Sequence, residues 1–167
     1  MFASERKARP DADKLANSEA AQTSCAQPSP TCNVRPGCLM RILVVDDQFH
    51  SRWAIADWLS VFLGAVAIES AASADEAMAV IEERKPDLVL AAHPMLDGDG
   101  IELARRLKSR SNPPLVVVMT EKSNPRFEPA CQAAGADFWL EKRHLQARLL
   151  AFLQQRFSLR VVQHNPF

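Results

Sequence analysis

This chain lacks an excess of either charge: 20 lysines and arginines face 20 aspartates and glutamates over 167 residues. A neutral balance removes the long-range pull that draws basic proteins to nucleic acid or anionic membranes, so neither is an expected partner. No apolar run approaches the roughly 20 residues that cross a bilayer. The N-terminus also lacks the apolar segment and small-residue cleavage site of a secretory signal. Cys25, Cys32, Cys38 and Cys131 show no Cys-x-x-Cys spacing and no histidine cluster, which argues against a zinc site. Three of the four precede residue 39, so no disulfide framework is expected, and the chain reads as cytoplasmic and reduced. Internal repeats are absent as well. What is present is ample apolar material, 47% of residues, enough for the core of one domain with room for a flanking tail.

Residues 1–39 mix Ser, Ala, Asn, Gln and charged residues with prolines at 10, 28, 30 and 36. Such a segment buries too little to offset its ordering entropy and is expected to be disordered. Met40 stands directly before the first ordered run and offers an alternative start for the working protein. The domain is therefore expected over 40–157, with a short tail at 158–167 that is too small for a helix-turn-helix.

The domain is organised around Met40-Arg41-Ile42-Leu43-Val44-Val45-Asp46-Asp47-Gln48. Four consecutive apolar residues read as a strand buried on both faces, as inside a parallel sheet. The run stops at two carboxylates, which either cap the following helix or stand at the strand end, where α/β sheets gather their chemistry. Helical periodicity follows from Phe49 to Leu63, with Ile55, Trp58, Leu59 and Phe62 on one face, and Gly64 as the stop. Val66–Ala71 is a second strand. Ser73 and Glu76 make a capping box for a helix with Ala77, Val80 and Ile81 inside. Asp87–Ala92 is a third strand after Pro86. A turn-rich loop, 93–100, leads to a helix burying Ile101, Leu103, Ala104 and Leu107, ended by Pro113-Pro114. Leu115–Met119 is a fourth strand ending at Thr120. Ser123–Ala134 is expected to be helical despite Pro125 and Pro129. Phe138–Leu140 forms a last strand, and Lys142–Phe157 a last helix with Leu145, Leu149, Phe152 and Leu153 inward. Five strands alternating with five helices predict an α/β fold, a five-stranded parallel sheet covered on both faces.

Taken together, the strand ends bring a carboxylate pair, a hydroxyl and an ammonium group to one edge. Arg52 lies five positions beyond Asp47. Pro86-Asp87-Leu88-Val89-Leu90, Asp99-Gly100-Ile101-Glu102-Leu103 and Gly135-Ala136-Asp137-Phe138-Trp139-Leu140-Glu141-Lys142 complete a specific order and spacing. The stretch from Met40 to Phe157 resembles the receiver domain of two-component response regulators, which have a flavodoxin-like (βα)5 fold. The resemblance implies that Asp46 and Asp47 match the family's Mg²⁺-holding pair. Thr120 matches its hydroxyl, Lys142 its lysine and Trp139 its strand aromatic. The family's phosphoacceptor aspartate, at the end of the third strand, corresponds to Ala92.

Alanine has no nucleophile, and its presence removes one hard oxygen ligand from a metal that wants several. Gln48, Leu96, Glu121 and Arg143 also depart from the family pattern. Two carboxylates about 4 Å apart repel by roughly 4 kcal/mol at an effective dielectric of about 20, so losing the third relieves part of that repulsion. Lys142 then needs neutralising by Asp46, Asp47 or Glu121, and the site is expected to be either locked by internal charge pairs or simply drifted. Asp97 or Asp99 as a substitute acceptor is the rival reading. A nucleotide or flavin site is disfavoured, because Asp46-Asp47-Gln48-Phe49-His50 would repel phosphate.

The expectation is thus a stand-alone, non-enzymatic receiver-like module acting by protein–protein interaction. It takes no cofactor beyond weak Mg²⁺ on Asp46 and Asp47. The resemblance implies signalling partners, a histidine kinase or another regulator, or a second copy of the chain. The expected contact face carries Trp139, Phe138, Arg143 and His144, with Trp139 the more exposed of the adjacent aromatics.

Overall fold

The computed structural model describes residues 39–64 and 66–157. The expectations for the two tails, Cys25, Cys32 and Cys38 among them, lie outside the described residues. The elements run β1 (Met40–Val45), α1 (Phe49–Leu63), β2 (Val66–Ala71), α2 (Ala74–Arg84), β3 (Leu88–His93), α3 (Gly100–Lys108), β4 (Leu115–Thr120), α4 (Phe127–Ala133), β5 (Phe138–Glu141) and α5 (Leu145–Phe157). All strand pairs are parallel, in the order β2-β1-β3-β4-β5. The chain therefore leaves β1 toward one sheet edge and returns to build the other. That reversal opens a crevice at the carboxyl ends of β1 and β3.

Strand alternation sorts the apolar residues into two layers. Leu43 and Val45 of β1, Val89 and Ala91 of β3, and Val116 and Val118 of β4 face α2, α3 and α4. Ile42 and Val44, Leu88 and Leu90, and Leu115, Val117 and Met119 face α1 and α5. Both faces are thus sealed, which is why β1, β3 and β4 are continuous apolar runs. Trp58 is core, as its helical stripe predicts, although its indole Nε1 has no hydrogen-bond partner among the described residues.

Four local expectations need correction. β3 extends one residue past Ala92, because His93 still pairs with Thr120, while the Asp87 carboxylate instead accepts a hydrogen bond from the Arg41 amide at 2.8 Å. α4 has only seven residues, not twelve. Asn124 Oδ1 accepts from the Arg126 amide and the Asn124 carbonyl from the Phe127 amide, which spends the preceding segment on turns. Pro129 is tolerated because it sits in the first turn, where amides have no helical acceptor. Lys142–His144 is a 3₁₀ turn, so the last α-helix begins at Leu145. At the start of α2, Ser73 Oγ accepts from the Glu76 amide as expected, but Glu76 Oε2 reaches the Ala72 amide instead of that of Ser73.

Candidate functional site

Asp46 follows the last residue of β1 and has no exposed surface. A carboxylate with no access to water must be fully paired, and each oxygen of Asp46 is. Oδ1 accepts from the Gln48 amide at 2.9 Å, and Oδ2 from Ser51 Oγ at 2.7 Å and from Lys142 Nζ at 2.7 Å. The Asp46 carbonyl takes the Arg52 guanidinium, which accounts for that arginine's position in α1. Asp47 points elsewhere: its Oδ2 accepts from the Leu96 amide at 2.8 Å and ties the start of α1 to the β3–α3 loop.

Lys142 is shared. Besides Asp46, its Nζ lies 2.9 Å from Glu121 Oε1, and the lysine side chain is only 12% exposed. Burial pulls this ammonium toward the neutral form, but the hydrogen bonds to Asp46 and Glu121 outweigh it and hold its pKa above that of an ordinary lysine. Of the three candidate counter-ions for Lys142, Asp46 and Glu121 serve and Asp47 does not. Thr120 is buried, and its Oγ1 donates to the Lys122 carbonyl at 3.1 Å.

Ala92 is 1% exposed and belongs to the apolar layer beneath α2, α3 and α4. Val45 pairs with Ala91, so Ala92 stands level with Asp46. Its carbonyl abuts the start of α3 so closely that a Cβ on Gly100 would lie 2.2 Å from it.

The next residue carries a contact that sequence reasoning missed. His93 Nδ1 is 2.5 Å from Asp99 Oδ1, the same oxygen that accepts from the Ile101 amide at 2.8 Å and caps α3. The imidazole stacks on Phe127, the first residue of α4, at 5.7 Å between centroids. The legible signal was an aspartate directly before a helix start, an N-cap pattern. Asp97 lies exposed in the loop, its backbone carbonyl facing the Ala74 amide.

The aromatics of β5 point to opposite sides of the strand, as alternation requires. Neither is outward: Phe138 packs with the α1/α5 layer and Trp139 with the α2/α3/α4 layer, and both are part-buried. Both therefore sit at the margin of the core, half-buried, with helices packed against either side of the strand. Phe138 is stacked on Phe152 at 4.8 Å, and the Arg148 guanidinium lies over the Phe138 ring, 5.2 Å from its centroid. Trp139, with Ser123, Glu128 and His144, lines a groove of about 440 Å³ between α4 and α5. Arg143 is exposed and pairs with Glu141.

The donor set does not suit a divalent cation as arranged. Both oxygens of Asp46 are engaged, Asp47 has one oxygen committed to a backbone amide, and no cluster of three acidic, histidine or cysteine side chains occurs among the described residues. No described helix is long and apolar enough to cross a membrane.

The response regulator receiver domain family matches residues 42–154. Response regulator MprA of Mycobacterium sp. (strain KMS) is 32% identical over 120 residues, covering 70% of this chain and 51% of that protein. The positive alginate biosynthesis regulatory protein of Pseudomonas aeruginosa is 37% identical over 82 residues, covering 48% of this chain and 33% of that protein. The chain spans about half the length, or less, of these curated relatives. Among solved structures, the BeF3-activated N-terminal receiver domain of Klebsiella pneumoniae RstA is similar with a TM-score of 0.62 at 27% identity, over 69% of this chain and 96% of that one. Chemotaxis protein CheY4 of Vibrio cholerae gives a TM-score of 0.63 at 25% identity, over 71% and 98%. The doubly covered parallel sheet, the polar groups at its carboxyl edge and these similarities have one source: the chain belongs to the response regulator receiver domain family, the signalling module of two-component systems.

Proposed function

We propose that this receiver domain signals in the cytoplasm by protein–protein contact, without aspartyl phosphorylation and without catalysis. The observation that carries the reading is the methyl group of Ala92 level with Asp46 at the switch point, where the family's acceptor carboxylate would stand. Lys142, the residue that would meet a transferred phosphoryl group, is already neutralised by Asp46 and Glu121. The alternative acceptors are poorly equipped. Asp99 is committed to the α3 cap and His93, and Asp97 is exposed in the loop, its backbone carbonyl bonded to the Ala74 amide. Mg²⁺ would meet Asp46 already engaged by Lys142 and Ser51 and one oxygen of Asp47 taken by the Leu96 amide, so any affinity is weak.

Partners of this module are other signalling proteins, a histidine kinase, another regulator or a second copy of this chain. The contact face is the α4–β5–α5 side, where Trp139 and His144 line a groove and Arg143 is exposed beside it. Aromatic and arginine side chains are over-represented among interface hot spots. Phe138 supports this face from beneath through its stack on Phe152. The test is chemical. Incubation with acetyl phosphate and Mg²⁺ should leave the intact mass unchanged, and a stoichiometric, hydroxylamine-labile gain of one phosphoryl group would overturn the proposal.

A further inference from the structure

Glu121 directly follows Thr120 at the end of β4 and reaches Lys142 at the end of β5, an ammonium that Asp46 holds from β1. The connection from β4 to α4 is fastened again two residues later, where the Ser123 amide donates to Glu141 Oε1 at 3.3 Å. Thr120 Oγ1, bonded to the Lys122 carbonyl, closes the turn between these two points. Residues 120–123 are thus held at three successive places to themselves and to the end of β5. Ser123 is also a wall of the groove that contains Trp139, so the course of this connection shapes that groove.

A carboxylate carried on the same chain presents itself to Lys142 at an effective concentration in the millimolar range or above. A dilute free anion does not displace it. Resting on the reading that this edge has no acceptor, we propose that Glu121 is a tethered anionic latch. It occupies Lys142 permanently, and with the Ser123–Glu141 bond it holds the β4–α4 connection and the groove wall in a single state.

The full chain and its Glu121→Gln and Glu121→Ala variants test this. Lys142 acetylation by a water-soluble acetylating reagent is mapped by peptide mass, with Lys108, held by Asp137 at 2.5 Å, as internal reference. Hydrogen exchange of the peptide covering 121–127 is followed in the same samples, with the α2 peptide as reference. In both variants Lys142 acetylation and exchange at 121–127 should rise severalfold while Lys108 and α2 keep their parental rates. Parental rates at Lys142 and 121–127 in both variants would overturn the latch, as would a rise shared equally by the references, which marks a general loss of stability. Neither result alters the mass of the parent after acetyl phosphate, so the latch and the absence of phosphorylation stand or fall separately.

Discussion

Lys142 Nζ lies 2.7 Å from Asp46 Oδ2, joining the end of β5 to a carboxylate that has no exposed surface at the end of β1. An ion pair so placed adds little over a well-packed apolar pair, but removing one member strands the other. Lys142→Met should therefore cost about 3 kcal/mol in urea unfolding, more than Asp46→Asn, which leaves Lys142 with Glu121. The sign with pH follows from the raised pKa of Lys142. The contribution is full below the unfolded lysine value of about 10.4 and is lost as pH rises through the folded one. The gap between parent and Lys142→Met should hold at neutral pH and shrink in strong alkali.

Ala92→Asp adds a carboxylate beside Asp46 and Asp47, where Lys142 is already taken. It should lower stability in EDTA by about 1 kcal/mol, and Mg²⁺ should restore part of that loss. Melting temperatures with and without Mg²⁺ check both halves. A variant as stable as the parent in EDTA and indifferent to Mg²⁺ would show that Ala92 does not face the acidic pair.

Gly100→Ala places a methyl group 2.2 Å from the Ala92 carbonyl, an atom fixed in the sheet that cannot rotate away. Overpacking against backbone should cost about 3 kcal/mol or more. Chemical denaturation measures it, and a loss under about 1 kcal/mol would mean that α3 slides easily on β3.

Burial, with Asp99 nearby as a lesser cause, pushes the Cys131 thiol up to about 12. The thiolate is the reactive form, so Cys131 should resist iodoacetamide at pH 8 in the native protein and label readily in urea. Peptide mapping distinguishes it from the other three cysteines.

Trp139→Ala should keep the far-ultraviolet circular dichroism of the parent and lose whatever partner a pull-down recovers. Phe138→Ala removes a ring that stacks on Phe152 and lies under the Arg148 guanidinium. It should destabilise by about 2 kcal/mol, less than the roughly 3–5 of a fully buried phenylalanine. Normal binding by Trp139→Ala would move the interface away from the groove.

What could be read from the chain was whatever depends on local pattern. The runs at Ile42–Val45, Val89–Ala92 and Leu115–Met119 announce strands sealed on both faces, and the carboxylates, hydroxyl and lysine that end them converge because parallel strands share a carboxyl edge. Pairing across the sheet was harder. That Lys142 selects Asp46 and Glu121 while Asp47 turns to the Leu96 amide depends on loop paths with no periodicity. His93 and Asp99, six residues apart, were invisible as a pair because the intervening loop has no period to fix where it returns. Phe138 and Trp139 were correctly separated by alternation. Both stay half-buried, because α4 and α5 pack against the two sides of β5.

A methyl group at Ala92 has a consequence in time as well as in chemistry. An acyl phosphate carries its own clock, since hydrolysis ends the signal at a rate set by the site. Under the reading proposed here this edge stores no labile bond, so it has nothing to decay and nothing to reset. Such a module reports by being present. Its message would last as long as the polypeptide does, and its strength would follow the number of copies in the cell and the rivals competing for the same partner.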